Sequence, residues 1–465
     1  MKKKIAIIGA GPAGLTAAYH LSNKEFEVDI YESKNFVGGM SASLELWGSK
    51  VDLGPHRFFS SDPRVNKFWL EIIENEYLMI NRKTRIYYKN KFFNYPLRPF
   101  NAFIKLGFIE SIKCLLSYLK TFFIKKKEIK SFEDWTSLKF GKKLYEIFFK
   151  SYSEKLWGIS CKQLSADFAV QRIKKFSLGE AIKNIFINKN NHKTLVDEFA
   201  YPNGGTGYFY EKLSKKISDK GGNINLNTKI DTIQIDKNSI TLEINKINKN
   251  YDYLISSMPI TDLVNNLKPD STTKNAIQNL KFRNTLLVYV KIKSDKIFDD
   301  QWIYINSDDI KSGRISNFNN WKQKNKSGYT ILCFEYWFND EDYIWNNNNK
   351  ILDITKSDIK KLNILDINHV QDFKVIPIKK CYPVYDYEYK SNLEIVIKFL
   401  KNFKNIIPIG RYGSFKYNNQ DHSILMGILA SKKVSKDRDI NLWEINTDYE
   451  FQEKAIITET GLKKI

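Results

Sequence analysis

Gly9-Ala10-Gly11-Pro12-Ala13-Gly14 carries three glycines at the spacing that lets a backbone turn receive the pyrophosphate of a dinucleotide. Gly9 permits the tight turn, Gly11 lets phosphate oxygens approach the main chain, and Gly14 lets the following helix pack closely. The helix N-terminus, where Pro12 and Ala13 stand, then faces the phosphates with its unpaired N–H groups. Ile5-Ala6-Ile7-Ile8 before the turn is a short apolar run suited to a strand buried on both faces. Residues 15–21 continue with helical spacing, and Val28-Asp29-Ile30-Tyr31 forms a second strand ending at Glu32 and Ser33. Glu32 lies 23 residues after Gly9, where a carboxylate accepts hydrogen bonds from a ribose. A purely structural glycine turn is the alternative.

This strand–helix–strand unit needs a parallel sheet, and two later segments offer its remaining pieces. Residues 201–207 read as a loop before a helix at 209–218, and strands follow through Ile235 and Ile244 to Tyr253-Leu254-Ile255-Ser256-Ser257. Ile406-Ile407-Pro408-Ile409-Gly410 ends another strand, and 424–431 reads as a closing helix. The sequence therefore predicts an α/β nucleotide-binding domain assembled from 1–80, 201–265 and 396–440. Residues 81–200 read as a mainly helical insertion, 266–395 as a strand-rich substrate domain and 441–465 as a tail.

Composition bounds the remaining possibilities. The formal net charge is +22, yet only ten of the 74 basic residues are arginine. A solvated lysine surface is the plain reading, and attraction of phosphorylated substrates or an anionic membrane is the other. Cys114, Cys161, Cys333 and Cys381 are far apart, with neither metal-ligand nor disulfide-framework spacing, which points to a reducing compartment. The most apolar stretch, 103–124, carries Lys105, Glu110, Lys113 and Lys120, which a bilayer centre would penalise. It is expected to be a buried or partly covered helix, with an interfacial helix as the alternative. Nothing in the sequence has the aromatic–basic pattern of a nucleic-acid site.

The run Glu32-Ser33-Lys34-Asn35-Phe36-Val37-Gly38-Gly39-Met40 resembles the extended fingerprint of two-dinucleotide-binding flavoproteins. The resemblance implies FAD as cofactor, held in a discontinuous Rossmann-type domain by Gly9, Gly11, Pro12, Ala13, Gly14, Glu32, Ser33, Gly38, Gly39 and Met40. Gly221-Gly222-Asn223-Ile224 and Ile255-Ser256-Ser257-Met258-Pro259 are similar to the amine-oxidase and protoporphyrinogen-oxidase branch. In that branch Gly54, Pro55 and His56 would lie against the isoalloxazine, with His56 hydrogen-bonding near its reactive edge. A satisfied structural histidine is the alternative.

Gly410-Arg411-Tyr412-Gly413-Ser414-Phe415-Lys416-Tyr417-Asn418-Asn419-Gln420-Asp421-His422-Ser423 resembles the eukaryotic-type UDP-galactopyranose mutases. That resemblance assigns Gly410, Arg411, Gln420, Asp421 and Ser423 to FAD. It gives Tyr417 and Asn419 sugar- and phosphate-side roles, although the chain is shortened between these two. Arg172, in Ser165-Ala166-Asp167-Phe168-Ala169-Val170-Gln171-Arg172, and Arg314, before Ser316-Asn317, match the diphosphate-binding arginines. Phe318 stands near the position of a family tyrosine, and Tyr382 of Cys381-Tyr382-Pro383 matches a tyrosine whose hydroxyl meets the diphosphate. Surface ion pairs at the arginines and a core position for Tyr382 are the structural alternatives. Gly54-Pro55-His56-Arg57-Phe58-Phe59 and Leu156-Trp157-Gly158-Ile159 look more like bacterial mutase-like flavoproteins of unspecified substrate.

The resemblance implies a nucleotide-sugar mutase of cell-surface glycan precursor synthesis, acting on a UDP-sugar with reduced flavin N5 as nucleophile at the anomeric carbon. It implies a cytoplasmic enzyme needing an external reductant, with a peripheral position at the inner face of the membrane as a variant. The competing reading is a true oxidoreductase of amine-oxidase, protoporphyrinogen-oxidase or desaturase type, passing hydride to oxidised FAD.

Overall fold

Ile5, Ala6 and Ile7 are completely buried, as a central parallel strand demands. The strand Lys3–Ile8 pairs in parallel with Phe26–Tyr31 on one side and Tyr253–Ser256 on the other. Ile406–Pro408 and Asn223–Asn225 complete a five-stranded sheet. The helices Pro12–Leu21, Thr206–Asp219 and Gln420–Lys436 bury their apolar residues in one core with this sheet. The chain leaves the central strand toward one neighbour and returns later to the other, so a crevice opens at that strand's carboxyl end.

The computed structural model describes residues 2–22, 25–123, 128–173, 198–236, 239–321, 328–436, 440–445, 455–458 and 461–464. The chain divides into two units: Met1–Met79, Phe199–Lys281 and Glu388–Ile465 form the first, Ile80–Glu198 and Phe282–Tyr387 the second. The first holds the discontinuous nucleotide-binding fold expected from the sequence. Residues 174–197 of the expected helical region, and much of the expected tail, lie outside the described residues.

A seven-stranded sheet organises the second unit. Its long strands Phe282–Ile292, Thr330–Phe338 and Val370–Pro383 pair antiparallel. Arg314–Asn317 and Trp302–Ile305 extend it, and Trp302–Ile305 pairs in parallel with Thr84–Tyr88. Thr84–Tyr88 and Lys91–Asn94 come from the stretch that reads as mainly helical, so the helical and strand-rich regions share one sheet.

The stretch expected to be one buried or partly covered helix at 103–124 is two helices, partly covered, with Cys114 buried. Gly107, at φ +86°, breaks the stretch into Pro99–Leu106 and Phe108–Leu119, and Phe103, Phe108, Ile109 and Phe123 are exposed. Ile124 lies outside the described residues.

Two cations pin this unit to main-chain oxygens. Arg283 donates through Nε to the Leu156 carbonyl (3.2 Å) and through Nη2 to those of Lys155 (3.3 Å) and Trp337 (2.8 Å). A Cβ on Gly158 would fall 2.4 Å from the Arg283 guanidinium, which explains a glycine at that helix end. Lys155 Nζ donates to the carbonyls of Ile305 (3.1 Å) and Ser307 (2.8 Å). Burial pushes the Lys155 ammonium down to about 8. The unfolded chain then binds more protons than the folded one between about pH 8 and the ordinary lysine value near 10.5. Stability contributed by this residue therefore rises with pH across that window. Urea midpoints at both ends should show the parent gaining relative to Lys155→Met as pH rises; parallel curves would contradict the assignment.

Candidate functional site

The glycine turn ends at the helix Pro12–Leu21, whose cap Gly11 provides no side-chain hydrogen bond and whose first position is proline. The Ala13 and Gly14 amides therefore lie in the helix's first turn, where N–H groups lack intrahelical partners and favour an anion. A Cβ on Gly14 would stand 1.9 Å from the Gly9 carbonyl oxygen. One on Gly39 would meet Gly11 Cα at 3.1 Å, so the second glycine pair folds directly onto the first turn. The Gly38 N–H donates to the Ala10 carbonyl (2.8 Å). Glu32, at the end of its strand, accepts from Ala10 N (2.9 Å) through Oε2 and from Lys34 N (2.9 Å) through Oε1. These bonds fix its carboxylate beside the turn and leave acceptor capacity for ribose hydroxyls. Ser33 is exposed and Met40 half-buried beside them.

The C-terminal segment closes on the same helix. A Cβ on Gly410 would reach Ala13 Cβ at 3.1 Å, and one on Gly427 would lie 2.5 Å from the Ala13 carbonyl. Arg411 donates through Nε to the Asn418 carbonyl (2.9 Å), with its guanidinium 5.1 Å from the centroid of Tyr417. Gln420 spans two segments: its Nε2 donates to the Arg57 carbonyl (2.8 Å) and its Oε1 accepts from Tyr210 (3.0 Å). Asp421 and Ser423 are buried at the start of the closing helix, and Asp421 Oδ1 lies 3.3 Å from His422 Nδ1. Tyr417 and Asn419 are half-buried, with the Asn419 N–H donating to His422 Nδ1 (3.2 Å).

A buried carboxylate that sequence reasoning passes over organises the 54–56 loop. Asp52 is fully buried and accepts from Ser43 Oγ (2.5 Å) and Thr206 N (3.0 Å) on Oδ1, and from Tyr201 OH (2.8 Å) on Oδ2. Burial pushes its carboxyl up, and these hydrogen bonds only partly counter the shift. Thr206 Oγ1 donates to the His56 carbonyl (2.5 Å) and lies 3.1 Å from Asp52 Oδ2. Gly54 takes φ +96°, and Pro55 and His56 are half-buried. His56 Nε2 lies 3.0 Å from the Leu53 carbonyl. Because a carbonyl only accepts, Nε2 carries the proton there, which leaves Nδ1 as acceptor in the neutral ring. The available signal is an acid ending a strand just before Leu53-Gly54-Pro55, with Gly205-Thr206-Gly207 at a later helix start.

The other candidates belong to the second unit. Arg314 forms a two-point pair with Glu335, Nε to Oε1 and Nη2 to Oε2, each at 2.6 Å. Burial opposes the cation, but Glu335 more than offsets it and holds the guanidinium well above its usual range, so it stays charged. Tyr152 and Tyr382 act on the same cation. Tyr382 is buried, its ring 6.3 Å from that of Trp157. Arg172 lies in the helix Ala166–Ile173, and its side chain is outside the described residues.

The sequence pattern described as flavin containing amine oxidoreductase matches residues 12–368. The chain belongs to this family. Its cofactor is FAD, and the glycine cradle, uncapped helix start and Glu32 fit one. A zeta-carotene desaturase of Capsicum annuum is 34% identical over 87 residues, covering 18% of this chain and 15% of that protein. A probable UDP-galactopyranose mutase of Klebsiella pneumoniae is 28% identical over 199 residues, 41% of this chain and 48% of that protein. Each match thus spans less than two thirds of the relative's own length. A crystal structure of a reduced UDP-galactopyranose mutase superposes with a TM-score of 0.82 at 23% identity, covering 97% of this chain and 100% of that one, a likeness of fold.

Asp52→Ala should lower stability by about 3 kcal/mol, because it strands several buried donors. Asp52→Asn should cost less, since an amide can still accept on one side and donate to the Tyr201 and Thr206 hydroxyls on the other. Urea midpoints and the flavin-to-protein absorbance ratio check both, and an Asp52→Ala protein with unchanged stability and FAD content would contradict the role.

Proposed function

We propose that this flavoenzyme is a nucleotide-sugar mutase that interconverts pyranose and furanose ring forms, with a UDP-sugar as substrate. The observation that carries the reading is the 410–423 segment. Its mutase-like residues fold as one piece on the FAD-binding unit, and Tyr417 and Asn419 stay half-buried rather than being consumed by the core. Reduced FAD supplies a nucleophilic nitrogen, N5, for the anomeric carbon.

The chain's own residues do the positioning. Arg172 and Arg314 would grip the diphosphate, a task suited to a forked cation that contacts two oxygens at once. Glu335 holds one edge of the Arg314 guanidinium, fixing its plane and leaving the remaining N–H groups for phosphate oxygens. As the sugar–diphosphate bond breaks, charge grows on the departing diphosphate, and the arginines with the Tyr382 hydroxyl stabilise it. Asn419 and Tyr417 would orient the sugar and its near phosphate. His56, held by Leu53 and Thr206, would present Nδ1 as an acceptor at the flavin edge. The product would feed cell-surface glycan synthesis in the cytoplasm, with an external reductant keeping the flavin reduced.

One observation favours the oxidoreductase reading. It is the 34% identity to a zeta-carotene desaturase over 87 residues. UDP separates the two. In the mutase reading, UDP perturbs the flavin spectrum of the FAD-loaded protein. Arg172→Ala, and Arg314→Lys, which keeps a cation for Glu335 but loses the fork, weaken that binding about tenfold with FAD retained. UDP without effect on the parent's flavin, or unchanged affinity in both variants, would remove the diphosphate role.

A further inference from the structure

We propose that the helices Pro99–Leu106 and Phe108–Leu119, with the turn Lys120–Phe123, form a docking surface that settles into the headgroup layer of an anionic lipid bilayer. The proposal rests on this face alone and not on the mutase reading.

The face is amphipathic in the reverse sense of an ordinary surface helix, which turns its apolar stripe inward. On Pro99–Leu106 the exposed residues Phe100, Phe103 and Ile104 follow a spacing of three and four. On Phe108–Leu119 the exposed set is Phe108, Ile109, Ile112, Leu115, Leu116 and Leu119, again one helical stripe. Phe122 and Phe123 continue it; Phe108 is 69% and Phe123 88% exposed, values that leave these rings almost wholly in water. The side turned to the protein is narrower and mixed, with Ala102 and Leu106 packed against the unit. Cys114 packs with Ile86, Phe93, Ile147 and Phe148, and Ser117 Oγ accepts from Lys143 N (3.0 Å). A Cβ on Gly141 would lie 2.7 Å from the Tyr118 nitrogen, so the helix backbone itself is pressed against the unit. That side is therefore anchored, and the exposed apolar side is the one presented.

Charge selects the occupant. Between residues 98 and 130 the sequence carries eight Lys or Arg against two Glu, including Lys125-Lys126-Lys127 shortly after Phe123. Of the two acids, Glu110 is engaged by Lys113 (2.6 Å) and Lys143 (3.3 Å). A second copy would bring one lysine-rich segment against another. Anionic headgroups complement that net positive charge, while the apolar side chains enter the acyl boundary. No helix among the described residues is long and apolar enough to cross a membrane, so the arrangement suits lying on the surface.

FAD-loaded protein should be sedimented with phosphatidylcholine vesicles and with vesicles in which phosphatidylglycerol replaces part of the phosphatidylcholine. Binding should be at least about tenfold stronger to the anionic vesicles and weaken as salt is raised, since lysines near the surface are drawn to the anionic leaflet and salt screens that attraction. The triple variant Phe108→Ser, Leu116→Ser, Phe123→Ser should lose at least about tenfold of that binding, because each removed ring or side chain takes several buried CH₂ equivalents with it. Its exposed positions leave folding intact, which retained FAD and a monodisperse profile would confirm. Binding to neither vesicle, or equal binding by parent and variant, would overturn the proposal. A concentration-dependent dimer that the variant abolishes, without vesicle binding, would also overturn it and assign the face to a second copy.

Discussion

The first unit depends on one buried carboxylate. Asp52 ends a strand in the first of three chain segments, and besides Ser43 of that segment its oxygens accept from Tyr201 and Thr206 of the second. Thr206 hands the connection on to the His56 carbonyl, and one residue further the Arg57 carbonyl receives Gln420 from the third segment. A discontinuous domain has to register segments separated by more than a hundred residues. Sheet pairing sets their direction, and these buried hydrogen bonds fix the loops at the strand ends where the cofactor chemistry belongs. A buried carboxylate without those donors would be costly, so folding and loop placement are coupled.

The parts of the fold legible in the sequence are those with local causes. Gly9, Gly11 and Gly14 announce the turn because no Cβ fits there, and Ile5 to Ile8 announce a strand covered on both faces. The 410–423 segment is equally readable. Contacts of long sequence separation are not. Thr84–Tyr88 lies in a stretch of helical character, and only its partner Trp302–Ile305, more than two hundred residues on, makes it part of the sheet. Glu335 leaves a trace, a single acid in Thr330-Ile331-Leu332-Cys333-Phe334-Glu335, but nothing local says that Arg314 is opposite. The apolar content of 103–124 suggests a covered helix, because apolar residues usually are covered. Its spacing identifies helix correctly but carries no information on which way the stripe faces.

Arginine scarcity does not by itself mark a ligand site. With so few in the chain, each one invites a binding role. Arg283 is instead bonded to three main-chain carbonyls, and Arg85 pairs at 2.6 Å with a completely buried Asp300. Both fork-shaped side chains are structural pins of the second unit. Arg314 is held in the same manner, its Nε and Nη2 edge on Glu335 as that of Arg85 is on Asp300, so only the proposed function sets it apart. A preset plane of this kind is what recognition of a diphosphate needs, because orientation entropy is lost before the ligand arrives.

Under the proposed function the flavin serves ring interconversion without net redox change. The FAD-loaded protein should be incubated anaerobically with UDP-galactofuranose, with and without dithionite, and the ring form read by chromatography. Conversion to the pyranose only when the flavin is reduced is the expected result. No conversion in either state, with UDP also leaving the flavin spectrum unchanged, would contradict it.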